Sequence, residues 1–299
     1  MQGYGAAALA ANGAMRRTGV PTSLLVCSPA ELYYGQRRAH PEPGKPYRAS
    51  AAWAIALVAR LNAMLARRYI VLSRHLADVV RSHGTRAAID VVPVYGVDTT
   101  VFRPATETKT ALRRRLGLPE EATLLFFSSR VAPEKDAETL LTAMRLLGGE
   151  VKLLHRSGGH RAFVDLARAF GIADRVLAAD AVHPIKELPF YYQASDVVIQ
   201  ASREEGLGFA PLEALACEVP VIAARVGGLR ETIVDGETGW TYPVGDAPAL
   251  AAAVKAVMAD PDHARRLAAR GRARVAAEFE REAIFGRLES ILRSGGTGR

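Results

Sequence analysis

Glu205 and Glu213 stand with seven residues between them in the stretch "SREEGLGFAPLEALACEVPVIAARVGGLRETIVDGETGW", Ser202 to Trp240. Carboxylates accept hydrogen bonds from paired sugar hydroxyls. Gly206 and Gly208, lacking side chains, let the backbone between them turn sharply and come close to a ligand. Pro211 belongs in the first turn of a helix, and "LEALACEV" is expected to continue it. Such a start aims unbonded N–H groups and a positive dipole end back at the turn, which suits an anion. A phosphate flanked by hydroxyl-bearing groups describes a nucleotide-sugar. A helix start whose acids only complement its dipole would contain the same residues.

A second candidate is "SSRVAPEKD", which follows the apolar run "TLLFF" and carries Arg130 and Lys135. Two cations on one loop can neutralise a diphosphate, each through charged hydrogen bonds worth about 1.5–3 kcal/mol. Two solvated charges beside a proline turn would read the same. His155 and His183 are lone histidines for which packing or surface roles are expected.

These residues must be held by elements, and the sequence supplies short apolar runs alternating with longer helical patterns. "TSLLVC", "YIVLS", "IDVVP", "TLLFFS", "VKLLH", "DVVIQ" and "PVIAA" read as strands, so parallel sheets covered on both faces are predicted. The aperiodic segment Val94 to Lys109 reads as the crossover between two α/β units, with the boundary near Pro104. Residues 1–104 are then a partial N-terminal Rossmann-like domain on the acceptor side. Residues 105–280 are a doubly wound nucleotide-sugar-binding domain, and 281–299 are a C-terminal helix and tail. In such sheets the ligand crevice lies at the carboxyl ends of the strands, where both candidate loops fall. The first domain has only about three strands, and Met1 leads directly into a Gly-Ala helical pattern. The chain is therefore expected to begin partway through that domain.

A chain of 299 residues, 49% apolar and 23% charged, can bury two cores. Its formal charge of +8 comes with the clusters Arg16-Arg17, Arg37-Arg38, Arg67-Arg68 and Arg113 to Arg115. These would suit phosphorylated ligands, an anionic membrane surface or nucleic acid, and solvated arginine-rich faces are the plainer reading. No nucleic-acid-binding motif accompanies them, and no nucleic-acid partner is expected. Cys27 and Cys217, far apart, make neither a disulfide framework nor a metal pattern, and a reducing, cytoplasmic setting fits. No signal peptide or spanning helix is read, which leaves peripheral contact with the inner face of a membrane.

"SSRVAPEKDAETLLTAM", "ASDVVIQASREEGLGFAPLEALACEVPVIAARVGGLRETIVDGETGW" and "IDVVPVYGVDTTVF" together resemble the retaining, nucleotide-sugar-dependent glycosyltransferases of family 4, which have the GT-B fold. The resemblance covers roughly Tyr69 to Phe285. It includes the family's Glu, seven residues, Glu spacing and the later Gly227-Gly228. It implies that Arg130 and Lys135 bind the donor diphosphate and, with Glu205, serve catalysis. Glu205 would contact donor sugar hydroxyls and Glu213 the ribose hydroxyls. Gly206, Gly208 and Phe209 would line the donor, the latter two through backbone N–H groups. No metal or other cofactor is expected, since two cations and a helix N-terminus can take the diphosphate charge and no Asp-x-Asp occurs.

The family's opening strand and glycine-rich loop have no counterpart here. Cys27-Ser28-Pro29 stands where relatives often carry a histidine after a threonine, so no catalytic residue is assigned in the first domain. The run "ELYYGQRRAHPEPGKPYR" is a candidate acceptor site, with Arg37 and Arg38 facing an acidic or phosphorylated acceptor; an exposed irregular loop is the other reading. The expected activity is transfer of a sugar from a nucleoside-diphosphate sugar to an unidentified sugar, lipid or small-molecule acceptor. The alternatives are a truncated or inactive nucleotide-sugar-binding relative and, third, a nucleotide-sugar epimerase.

Overall fold

Near-continuous runs of β-branched and large apolar residues form the strands, because a parallel strand is buried on both faces. The structure, a computed structural model, describes residues 5–19, 22–41, 45–181 and 185–295. His183 lies outside the described residues. The chain divides into two compact units, Met1–Gly96 with Glu204–Leu207 and Arg281–Arg299, and Val97–Arg203 with Gly208–Glu280. The division falls at Gly96, ahead of Pro104, and the C-terminal helix Arg281–Gly295 groups with the first unit.

The first unit holds the parallel sheet β1 (Leu24–Val26), β2 (Arg68–Val71) and β3 (Ala88–Val91), in that order. Leu24 lies opposite Tyr69 and Tyr69 opposite Ile89. With the C-terminal helix, the helices α1 (Ala6–Thr18), α2 (Ala30–Ala39), α3 (Ala49–Leu65) and α4 (Arg74–Ser82) accompany it. A buried amide pair, Asn12 Nδ2 donating to Asn62 Oδ1 at 2.9 Å, joins α1 to α3. Ser73 caps α4 by accepting from the Leu76 N–H. The chain leaves this unit at Gly96 and returns at Arg281. A Cβ on Gly96, already at φ 53°, would lie 2.5 Å from the Arg281 Cα, so only glycine fits.

The second unit holds β4 (Thr123–Phe127), β5 (Val151–Arg156), β6 (Val176–Ala179), β7 (Val197–Gln200), β8 (Val221–Ala224) and β9 (Trp240–Tyr242). They pair in the order β6-β5-β4-β7-β8-β9, all parallel. Its helices are α5 (Lys109–Arg115), α6 (Ala137–Arg145), α7 (His160–Ala169), α8 (Leu188–Ala194), α9 (Phe209–Ala216), α10 (Leu229–Thr232), α11 (Ala247–Ala259) and α12 (Pro261–Glu278). Strand order reverses between β4 and β7, the topological switch point at whose carboxyl ends such sheets bind ligands. The edge strands are short: β6 is the half-buried run Val-Leu-Ala-Ala, and β9 is three residues long.

At the amino ends of the same strands one arginine is internal. Buried Arg113 donates to the carbonyls of Ala194, Glu120 and Ala122 and to Asp196 Oδ2 at 2.6 Å. Asp196 also accepts from Lys109 and the Leu124 N–H. Burial alone would raise the Asp196 carboxyl, but these partners outweigh it and hold it below its usual range. Arg114 pairs with Glu120 and Arg115 with Glu107. Arg113 therefore braces the fold, while Arg114 and Arg115 are exposed charges paired with acids, as a solvated arginine-rich face would have them.

Candidate functional site

The residues after β4 and after β7 form two loops at the switch point. The first runs through Ser128 to a short 3₁₀ turn, Pro133–Lys135, and ends at Asp136, the N-cap of α6. Asp136 sits in the left-handed region at φ 49° and accepts from the Thr139 N–H and from Thr139 Oγ1, which holds the loop's end in place. Arg130 and Lys135 both lie on this loop. Arg130, largely exposed, pairs through Nη2 with Oε1 of buried Glu134.

The second loop begins at Ala201 and is locked to the first by Arg203. Its backbone N–H donates to the Glu134 carbonyl at 2.8 Å, and its guanidinium meets the buried Asp136 carboxylate at 2.7 Å. Asp136, Arg203 and Glu134 were not singled out from the sequence. Asp136 had a readable signal, an Asp three residues before Thr139 at the head of a helical run; Arg203 and Glu134 had none.

Gly208 opens α9 at φ 97°, ψ 74°, a conformation glycine adopts at little cost. The helix starts at Phe209, two residues before Pro211, and no side chain caps it. Glu213 lies on its second turn. Tyr192, fully buried on α8, donates its hydroxyl to Glu213 Oε2 at 2.8 Å and shares a further hydrogen bond with Ser128, the first residue after β4. Burial pushes the Glu213 carboxyl up to about 7 although it keeps some surface, and the Tyr192 bond only partly offsets this. Cys217, one turn further along, is pushed up to about 12 by burial and so stays a neutral thiol. Tyr192 was not singled out, because an aromatic in an apolar helix reads as core.

Glu205 lies on the turn Glu204–Leu207, which groups with the first unit. There Ser73 Oγ donates to the Gly206 carbonyl at 2.6 Å, and His75 Nε2 lies 2.7 Å from Oε1 of buried Glu204. A Cβ on Gly206 would come within 2.5 Å of the Cys27 carbonyl oxygen. Gly206 is thus required by backbone packing. Of the adjacent acids, Glu204 is internal and Glu205 the more exposed.

Arg37 and Arg38 occupy the last turn of α2, so of the two readings of this run the irregular loop does not hold at these residues. The Arg37 guanidinium stands 5.3 Å from the centre of the Tyr34 ring. His155 is packed: its Nδ1 meets the Phe127 carbonyl at 2.9 Å and its ring stacks 3.8 Å from Phe163. Among the described residues no group of three or more His, Cys, Asp and Glu could hold a metal ion.

A doubly wound sheet whose switch-point loops carry two cations, a glycine-opened helix start and a buried carboxylate has the parts of a diphosphate and sugar site. Residues 108–274 match the family "Glycosyl transferases group 1". The chain belongs to the group 1 glycosyl transferases. It is 39% identical over 210 residues to a D-inositol 3-phosphate glycosyltransferase of Xylanimonas cellulosilytica, covering 66% of this chain and 49% of that protein. It is 34% identical over 201 residues to a GDP-mannose-dependent alpha-(1-6)-phosphatidylinositol monomannoside mannosyltransferase of Mycolicibacterium smegmatis, covering 63% and 52%. Among solved structures, sucrose-phosphate synthase from Thermosynechococcus elongatus matches with a TM-score of 0.80 at 28% identity, over 94% of this chain and 70% of that one. The fold is that of the GT-B glycosyltransferases. This group 1 chain spans about half the length of the curated relatives it matches.

Proposed function

We propose that this chain carries the donor site of a retaining, family 4 glycosyltransferase that moves a sugar from a nucleoside-diphosphate sugar to a sugar, lipid or small-molecule acceptor. The observation that carries the reading is the locking of the two switch-point loops by Arg203, beside a glycine-opened and uncapped α9. Arg130 and Lys135 take the charge that grows on the departing diphosphate, the point at which preorganised cations lower the barrier most. Gly208 and Phe209 offer backbone N–H groups, Glu213 accepts from ribose hydroxyls, and Glu205, carried on the turn with Gly206, accepts from the donor sugar.

In the transfer, the bond from the anomeric carbon to the diphosphate oxygen breaks while the acceptor oxygen bonds on the same face. The acceptor proton passes to the departing phosphate, so configuration is retained without a protein nucleophile. The two cations and the helix start make a metal unnecessary to this reading. Arg37 and Arg38 face an acidic or phosphorylated acceptor. The relatives' names support an inositol phosphate or phosphoinositide as a first acceptor to try, and GDP-mannose as a first donor. Two free cysteines support a reducing, cytoplasmic setting.

Calorimetric titration with UDP, GDP and ADP tests the donor site. One nucleotide should bind, and Lys135→Ala and Glu213→Ala should each weaken it about ten-fold or more, as loss of a charged hydrogen bond predicts. Binding of none of the three would remove the reading. Nucleotide binding without transfer from GDP-mannose or UDP-glucose would leave a binding protein, and conversion of the donor sugar itself would indicate an epimerase. Unchanged acceptor kinetics in an Arg37→Ala, Arg38→Ala double variant would discard the acceptor assignment.

A further inference from the structure

All of the excess positive charge lies in one stretch of the chain. Residues 1–96 hold twelve Lys and Arg against four Asp and Glu, which accounts for the whole formal charge of +8. The donor loops lie outside this stretch and use none of that excess.

Neither α1 nor α3 contains an acidic residue. Arg16, Arg60 and Arg67 are exposed. Arg16 donates to the carbonyls of Met64 at 2.9 Å and Leu65 at 3.2 Å, which fixes its charge at the carboxyl end of α3. The inner side of α3 is buried through Ala59, Asn62 and Ala63. On the outer side Trp53 and Met64 are each 68% exposed and Leu57 38%. At 100° per residue, Trp53, Leu57, Arg60 and Met64 fall within about 60° of one another, so they form one stripe.

A stripe that mixes tryptophan, flexible apolar side chains and arginine is what a helix lying in a membrane interface presents. The apolar groups enter the boundary between headgroups and acyl chains, and the arginine stems extend back to the phosphates. We propose that α3 lies on the surface of an anionic bilayer, with Trp53, Leu57 and Met64 inserted and Arg16, Arg60 and Arg67 pairing with lipid phosphates. Charge complementarity selects this occupant. A second copy on the same face would set like-charged arginines against each other. At 17 residues α3 is short for a span, and no helix of the described residues is long and apolar enough to cross a membrane. The inference does not depend on the donor reading.

Sedimentation with vesicles of phosphatidylcholine alone and of phosphatidylcholine mixed with phosphatidylglycerol tests it. Trp53 and Trp240 are the two tryptophans, so a Trp240→Phe variant makes Trp53 the sole reporter. The chain should sediment with the anionic vesicles only, with a blue shift of Trp53 emission, and added salt should release it. Trp53→Ala should weaken partitioning about ten-fold. The Arg60→Gln, Arg67→Gln double variant should weaken it about twenty-five-fold, at roughly five-fold per arginine. Circular dichroism of these surface variants should match that of the parent chain. No sedimentation with anionic vesicles, or sedimentation with unshifted Trp53 emission, overturns the proposal. A concentration-dependent dimer that Trp53→Ala dissolves, without vesicle binding, would give the face to a second copy. Trp53 emission already blue-shifted without lipid in a longer form of the chain would give it to the added segment.

Discussion

The Glu213 carboxyl, ordinarily near 4.5, is pushed up to about 7 by burial, so near neutral pH its protonated and ionised forms are both populated. A raised acid stabilises the fold fully below its unfolded pKa, and that contribution is lost as pH rises through the folded one. Glu213→Gln should therefore leave the melting temperature unchanged near pH 4 and raise it at pH 8, by roughly 2–3 kcal/mol of stability. The ionised carboxylate is the better acceptor for ribose hydroxyls, so nucleotide affinity should rise about ten-fold between pH 6 and pH 8 and lose that step in Glu213→Gln. Tyr192→Phe removes the one hydroxyl that favours ionisation and should move the midpoint upward. Titrations across that range check all three, and a flat pH profile in the parent chain would remove Glu213 from the donor. The Cys217 thiol, one turn along α9, is pushed up to about 12 by burial and stays neutral across that range.

At the scale of elements, the two switch-point loops depend on backbone conformations that side chains must hold. Asp136→Ala removes the α6 cap and leaves the Arg203 guanidinium facing no carboxylate. Such losses cost about 1 kcal/mol for the cap and about 3 kcal/mol for the broken buried pair. Stability should fall by several kcal/mol in denaturant melts, and nucleotide affinity should fall with it as the Arg130 and Lys135 loop loosens. Gly208→Ala asks an alanine to hold φ 97°, a strain of roughly 1–3 kcal/mol, and should disorder the start of α9. The glutamate pair, the turn glycines and the cationic loop were legible because their spacing is local, and a helix start and a strand end announce themselves within a few residues. The ties that hold them were not. Arg203 meets Asp136 because β4 and β7, distant in sequence, are neighbours in the sheet, and Tyr192 meets Glu213 because α8 and α9, on either side of β7 in the chain, pack together. The edge strands β6 and β9 escaped notice for the opposite reason: Val176–Ala179 is a four-residue apolar run that reads equally as helix, and Trp240–Tyr242 is too short to show a period.

Across the whole molecule, the excess charge and the candidate donor groups of the sheet's switch point occupy different stretches of one chain, and a ligand should register that separation. A nucleoside diphosphate at about one hundred times its dissociation constant stabilises the fold it binds by about 2.7 kcal/mol. Hydrogen exchange with and without the nucleotide should then slow at residues 128–136 and across α9, because ordering the loop and filling the helix start suppress local opening there. The amides of α1 and α3 should exchange at the same rate in both samples. Anionic vesicles should give the reverse pattern, slowing α3 and leaving residues 128–136 untouched. Slowing confined to α3 on nucleotide addition would mean that the phosphate groups seek the excess arginines instead of Arg130 and Lys135. The donor site would then have to be sought among the charges of residues 1–96.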